Sequence, residues 1–208
     1  MAIRTIAMIG TGTQGRAIAL LVLRVGYRVI LEDFSISTLK EGEASIRDAL
    51  SKQFANVAIS HEQSDHTLDW TNADSSRDAI SNLSIRTGVQ DAIRDAHLII
   101  ETAADELETK LELFTIFDKF ARPNAIFATT SVAHPVAEFA DVTSCPERCI
   151  TLQFLPAENP RHLAIIPGPQ TSPETIRACT EFAKQLKIEA NLSRSTADAP
   201  LGTNKREA

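Results

Sequence analysis

The chain has 208 residues, of which 43% are hydrophobic and 23% charged, enough to bury a substantial core in one domain. Its formal charge of −6 and lack of any basic stripe exclude classes of protein that grip nucleic-acid phosphates. No run of residues is long and apolar enough to span a bilayer.

The first apolar run, Ile6 to Ile9, leads into Gly10-Thr11-Gly12-Thr13-Gln14-Gly15 and then an amphipathic stretch to Arg24. This reads as strand, tight turn and helix. Gly10 allows the turn, Gly12 lets backbone approach a pyrophosphate, and Gly15 lets the helix pack closely on the strand. Amide groups of the first helical turn then face the phosphates. Gly26 ends the helix and Tyr27 to Leu31 forms a second strand running into Glu32-Asp33. Asp33 lies 18 positions past Gly15, where a carboxylate accepts hydrogen bonds from ribose hydroxyls. Two adjacent acids with no arginine following them favour NAD over NADP.

Ser35 caps a surface helix reaching Phe54, followed by a polar, irregular excursion from Ala55 to Ala79. His61 and His66 stand there with Asp65 and Asp69, but no cysteine pair precedes them, so solvated loop side chains are expected and no metal. Leu83 to Thr87 predicts a short strand, Gln90 to Arg94 a short helix, and His97 to Glu101 a buried parallel strand. A helix opened by Asp105-Glu106 follows, with Leu107, Leu111, Phe114, Phe117 and Phe120 on one face. Ala125 to Thr129 is the next strand and Val136 to Ala140 a short helix. Further strands are expected at Cys149 to Leu155 and His162 to Pro167. A helix entered at Ser172-Pro173-Glu174 runs to Leu186, and Ile188 to Leu192 forms an edge strand. The alternation predicts an α/β fold: a Rossmann-type, doubly wound, mostly parallel sheet with helices on both faces. Residues 1–192 are expected to form the dinucleotide domain and 193–208 a polar tail. With no charged leader and with Cys145, Cys149 and Cys179 too few for a disulfide framework, a cytoplasmic protein with free thiols is expected.

The stretch from Asp95 to Phe114, DAHLIIETAADELETKLELF, resembles the amino-terminal domain of the 3-hydroxyacyl-CoA dehydrogenases. So do Gly10 to Gly15, Asp33, Ala125 to Phe139, Pro146-Glu147-Arg148 and Thr171 to Thr175. The resemblance implies NAD as cofactor, with Asp105 and Lys110 flanking its nicotinamide half. Read without the family, Asp105 is a helix N-terminal acid and Lys110 a solvated charge.

Set against the family pattern, the catalytic serine falls on Val132, the general-base histidine on Gln153 and its orienting glutamate on Ile165; a cofactor-contacting asparagine falls on Pro156. Oxidation of a 3-hydroxyl needs a base for its proton. A glutamine amide takes no proton, although it can donate a hydrogen bond to a carbonyl, at an expected loss of roughly 10²- to 10⁴-fold. Ser131 and Thr130 remain beside the lost serine, either as contacts to nicotinamide or substrate or as strand-end caps. His134 and His162 lie near the altered segments and are candidates for a replacement base, but neither has an evident carboxylate partner at fixed spacing, so capped or solvated histidines are expected; Glu158-Asn159, close after Gln153, reads as a loop-surface pair rather than a carboxylate for the cleft. Cys145 and Cys149 bracket a strand entry and form no redox pair.

The family's link to a helical carboxyl-terminal domain appears only as Asp198 to Arg206, so that domain is expected to be absent. A homodimer or a partner protein would then close the site. Two functions stay open: hydride transfer between NAD(H) and a small hydroxyacyl or keto substrate such as an acyl-CoA, or non-catalytic NAD(H) binding as a sensor or cofactor subunit.

Overall fold

The computed structural model describes residues 2–60 and 79–193. His61, Asp65, His66, Asp69 and the tail from 194 onward lie outside the described residues. In chain order the elements are β1 (Thr5–Ile9), α1 (Thr13–Arg24), β2 (Arg28–Glu32), α2 (Ile36–Ser60), β3 (Leu83–Ile85), α3 (Val89–Ile93), β4 (Leu98–Glu101) and α4 (Leu107–Phe120). There follow β5 (Ile126–Thr129), α5 (Val136–Ala140), β6 (Cys149–Leu155), β7 (His162–Pro167), α6 (Pro173–Leu186) and β8 (Glu189–Leu192). The helix α2 extends six residues past the expected Phe54, because no glycine or proline interrupts Ala55 to Ser60.

The strands form one sheet in the order β3-β2-β1-β4-β5-β6-β7-β8. All pairings from β3 to β6 are parallel, whereas β7 runs antiparallel to β6 and carries β8 parallel to itself. The winding direction reverses between β1 and β4, so their carboxyl ends open a crevice. The central strands β1, β4 and β5 are buried at every position, which is why their sequences are almost continuously apolar. On one side Ile6, Met8, Val29, Leu31 and Ile100 pack against Ile18 and Val22 of α1, Leu39 and Ile46 of α2, and Phe182 of α6. On the other, Ala7, Ile9, Ile99 and Phe127 meet Ile93 of α3, Leu113, Phe114 and Phe117 of α4, and Phe139 of α5.

Four phenylalanines hold this second layer together. Phe114 lies 5.3 Å from Phe117, 5.2 Å from Phe139 and 6.3 Å from Phe127, centroid to centroid. Burial of each ring stabilises by about 1.5–3 kcal/mol, and each ring pair adds about 0.5–1.5 kcal/mol. The cluster fixes α4 and α5 on β5, and with them the loops that enter the crevice. The buried stripe of α4 is Lys110, Leu113, Phe114 and Phe117. Leu107, expected on this face, is 36% exposed because it lies a turn before the helix meets the sheet. On the opposite layer, α6 is capped by Ser172, whose hydroxyl accepts from the Thr175 N–H at 3.2 Å. It ends on Lys187 in the left-handed region at φ 55°. Among the described residues no helix is long and apolar enough to cross a membrane.

Candidate functional site

The crevice is built from five strand ends. At the tip of β1, Gly10 adopts φ +104°, and its N–H donates to the Glu32 carbonyl at 2.9 Å. A Cβ on Gly15 would lie 2.2 Å from the Gly10 carbonyl oxygen, so a glycine there is what allows α1 to start against the turn. A Cβ on Gly12 would meet nothing within 4 Å: open space lies above it. Gly12 caps α1 without a side-chain hydrogen bond, and the first turn carries no acidic residue. Its amide donors are therefore left for an anion. Thr102 braces the loop by donating to the Gly10 carbonyl at 2.9 Å. From the far side, Gly42 of α2 packs so closely that a Cβ would come within 2.8 Å of the Thr11 Cβ. Sequence reasoning missed this glycine, which sits in an otherwise ordinary amphipathic helix.

Asp33, at the tip of β2, is half-buried and already engaged. Its Oδ2 accepts from the Thr11 N–H at 2.8 Å and the Thr11 hydroxyl at 3.0 Å, and its Oδ1 from the Ser35 N–H at 2.9 Å. A carboxylate has about four acceptor positions, so about one is left, on Oδ1, for a ribose hydroxyl. Glu32 corrects an expectation. It is 2% exposed, with Oε2 lacking any partner among the described residues, and burial followed by the neighbouring Asp33 pushes its carboxyl up to about 7. Only Asp33 is thus placed at the surface to repel a 2′-phosphate.

A polar network missed from the sequence lies under the other half of the crevice. Glu101, the last residue of β4, is fully buried and bonded to the Lys110 ammonium at 2.8 and 2.9 Å. The Thr129 hydroxyl and Ala103 N–H donate to the same carboxylate at 2.7 and 2.6 Å. Lys110 was expected to flank the crevice, but at 1% exposure it does not face it; it reaches it through Asp105, whose Oδ1 lies 3.6 Å from Nζ. The signal for Glu101 was a carboxylate ending an apolar strand, nine positions before a lysine.

Asp105 accepts from the Ser131 hydroxyl at 2.6 Å. Burial alone would raise its carboxyl, but that hydrogen bond and the Lys110 charge, with smaller contributions from the Ala133 N–H and His134, hold it below the usual range. Ser131 in turn accepts from the His134 N–H at 3.1 Å. The Thr130 hydroxyl lies 3.1 Å from Gln14 Oε1 and 3.2 Å from the Glu101 carbonyl, which ties the β5 loop to α1. Thr13 and Val132 are exposed, Val132 at 54%.

The strand register places Gln153 of β6 opposite Ala164 and pairs Ile165 with Leu152. Side chains alternate between faces, so Ile165 points into the core beneath α6 with Leu152 and Phe154, away from Gln153. Ile165, on which the family's orienting glutamate falls, therefore does not stand beside Gln153; the residue across the strand is Ala164. Gln153 is 8% exposed, and its Oε1 is buried without a partner among the described residues.

Both histidines prove to have carboxylate neighbours. His134 Nδ1 lies 3.4 Å from Glu138 Oε2, four residues on. His162 Nδ1 lies 3.6 Å from Glu189, and its Nε2 is 2.6 Å from Asn191; both partners come from β8, a pairing remote in sequence. Glu158 and Asn159 are exposed in the β6–β7 loop. Cys145, Cys149 and Cys179 are free and buried, and burial pushes their thiols up to about 12, about 11 and about 12.

A sheet whose winding reverses at a glycine loop and an uncapped helix N-terminus defines a Rossmann-type dinucleotide-binding domain. The family described as "3-hydroxyacyl-CoA dehydrogenase, NAD binding domain" matches residues 5–191, and the chain belongs to it; its coenzyme is NAD. The chain is 27% identical over 190 residues to the mitochondrial hydroxyacyl-coenzyme A dehydrogenase of Sus scrofa, covering 88% of this chain and 57% of that protein. To the 3-hydroxybutyryl-CoA dehydrogenase of Bradyrhizobium diazoefficiens it is 30% identical over 192 residues, covering 92% and 61%. It thus spans about three-fifths of the length of these relatives. The crystal structure of (S)-3-hydroxybutyryl-CoA dehydrogenase from Ralstonia eutropha shares the fold at a TM-score of 0.79 and 23% identity, covering 92% of this chain and 63% of that one. The residues present fit the coenzyme: free amides and open space at Gly12 for phosphates, and an unused acceptor position on Asp33 for ribose.

Proposed function

We propose that the chain is the coenzyme-binding part of an oxidoreductase that moves hydride between NAD(H) and a hydroxyacyl or keto substrate, with an altered proton-handling position. The observation that carries this reading is the crevice itself. Donors from Gly12 onward and Asp33 would serve the phosphates and ribose on one side; on the other, Asp105 and Ser131 bond to each other beyond β4 and β5, and Gln153 lies on the neighbouring strand β6. NAD, when bound, supplies or takes the hydride. Gln153 offers an amide that can donate to a substrate carbonyl but cannot accept the proton of an alcohol. Asp105, Ser131 and Lys110 hold a fixed negative charge at the rim where the nicotinamide half would lie, and Val132 leaves an apolar surface beside it. Residues 1–192 make up this unit in our reading, and an acyl-CoA or another small carbonyl compound is its substrate.

A second reading has one observation in its favour. The amide at position 153 removes the proton acceptor of the family pattern, which suits an NAD(H)-binding subunit or sensor with no turnover of its own. Calorimetry with NADH, followed by NADH oxidation in the presence of acetoacetyl-CoA and a panel of ketones, separates the two. Saturable oxidation that Gly12→Asp abolishes supports the enzyme, and tight NADH binding without oxidation supports the binder. Binding of neither NAD nor NADH overturns both.

A further inference from the structure

We propose that His134, oriented by Glu138, is the acid–base residue of this crevice and takes over the proton transfer that Gln153 cannot perform. The inference rests on the oxidoreductase reading above and deepens it. His134 belongs to the loop between β5 and α5, three residues after Ser131, and the loop is pinned at that point. Its own N–H donates to the Ser131 hydroxyl at 3.1 Å, and Ser131 donates to Asp105 at 2.6 Å. The backbone that carries the imidazole is thereby tied to the Ser131–Asp105 pair. Its ring packs edge-on against Phe139 with centroids 6.2 Å apart, which restricts its rotation.

The Glu138 carboxylate, one helical turn on, lies 3.4 Å from Nδ1, while the side chain keeps 26% exposure. A carboxylate on the Nδ1 side favours the neutral tautomer with its proton there, which makes Nε2 the acceptor. Nε2 has no hydrogen-bond partner among the described residues. The charged groups facing this histidine are Glu138 on α5 and Asp105 from the loop before α4, with Lys110 beyond Asp105. His162 lacks this freedom, because Asn191 and Glu189 occupy both of its nitrogens.

The step balances without another reagent. In the reductive direction the carbonyl carbon gains the hydride of NADH, the C=O π pair moves to oxygen, and that oxygen gains the proton from His134 Nε2. The products are an alcohol, NAD+ and neutral imidazole, which takes its next proton from solvent. Oxidation runs the same sequence backward.

Two measurements test the assignment. The first is steady-state NADH oxidation by the intact protein, with NADH affinity followed by fluorescence. His134→Ala should lower kcat by about 10²-fold or more with NADH affinity within about twofold of the parent, and added imidazole should restore part of the lost rate. A variant that keeps its rate, or loses it with no recovery in imidazole, overturns the proposal. The second measurement needs no turnover: carbethoxylation by diethyl pyrocarbonate, mapped by peptide mass spectrometry. His134 should react in the free protein and be shielded by NADH. Equal reaction with and without bound NADH places His134 away from the coenzyme and overturns the proposal. NADH binding with a shielded His134 but no oxidation of any ketone sinks the oxidoreductase reading instead.

Discussion

Glu32→Gln isolates the cost of a buried carboxylate. In the folded chain this group titrates at about 7, against an ordinary 4.5, because burial and then Asp33 oppose its charge. Below pH 4.5 both folded and unfolded states are protonated and the group contributes nothing. Between 4.5 and about 7 the unfolded chain releases its proton while the folded chain retains it, so stability falls as pH rises. Above 7 the penalty is complete. At about 1.4 kcal/mol for each tenfold in proton affinity, the full span amounts to about 3 kcal/mol. Glutamine has nearly the shape of the protonated acid but does not ionise. Urea unfolding of both proteins across this pH range should therefore give coincident stabilities at the acid end and an advantage for Glu32→Gln approaching 3 kcal/mol at about pH 8. The difference between the two curves cancels every other titrating group. A difference that stays flat with pH would refute the burial argument for this side chain.

Lys110→Met leaves the Glu101 carboxylate buried without its counter-charge and should cost about 3–5 kcal/mol in chemical denaturation. The double variant Glu101→Leu with Lys110→Met should recover most of that loss, and a merely additive result would show that the two charges are not coupled. Gly15→Ala drives a methyl group to 2.2 Å from the Gly10 carbonyl; it should lower stability by about 1–3 kcal/mol and NADH affinity by at least about tenfold, read by thermal unfolding and calorimetry. Unchanged affinity in a folded variant would detach the loop geometry from coenzyme binding.

The elements were legible because most of them are specified locally. Strands buried on both sides read as short apolar runs, and α1 and α4 announce themselves by period, helped in α4 by an acid in the first turn and a lysine in the last. The glycine loop was readable because each of its roles is a backbone constraint that a side chain violates. What escaped depends on contacts distant in sequence. Glu32 and Glu101 have the composition of strand-end surface acids, and only the sheet shows them buried, one with an oxygen lacking a partner among the described residues and the other paired with Lys110. The partners of His162 arrive from β8. His134 and Glu138 were closer to hand, since a spacing of four across a helix start brings two side chains together. That Ile165 faces away from Gln153 was not readable either, because counting residues along the chain ignores how β6 and β7 pair.

That last point has a further consequence. Because β7 runs against β6, the connection at positions 156–161 is a turn rather than a helical crossover, and it alone fixes which residue comes to stand across from Gln153. In a structure with a repeat of two, lengthening or shortening this turn by one residue exchanges the two faces of β7 wholesale: Ile165 would swing to the face of Gln153 and Ala164 to the face under α6. The wall of the pocket is thus governed by a discrete variable, odd or even, that leaves the glycine loop and the coenzyme half untouched. The shape of that wall can therefore change by a single insertion without any substitution within β7.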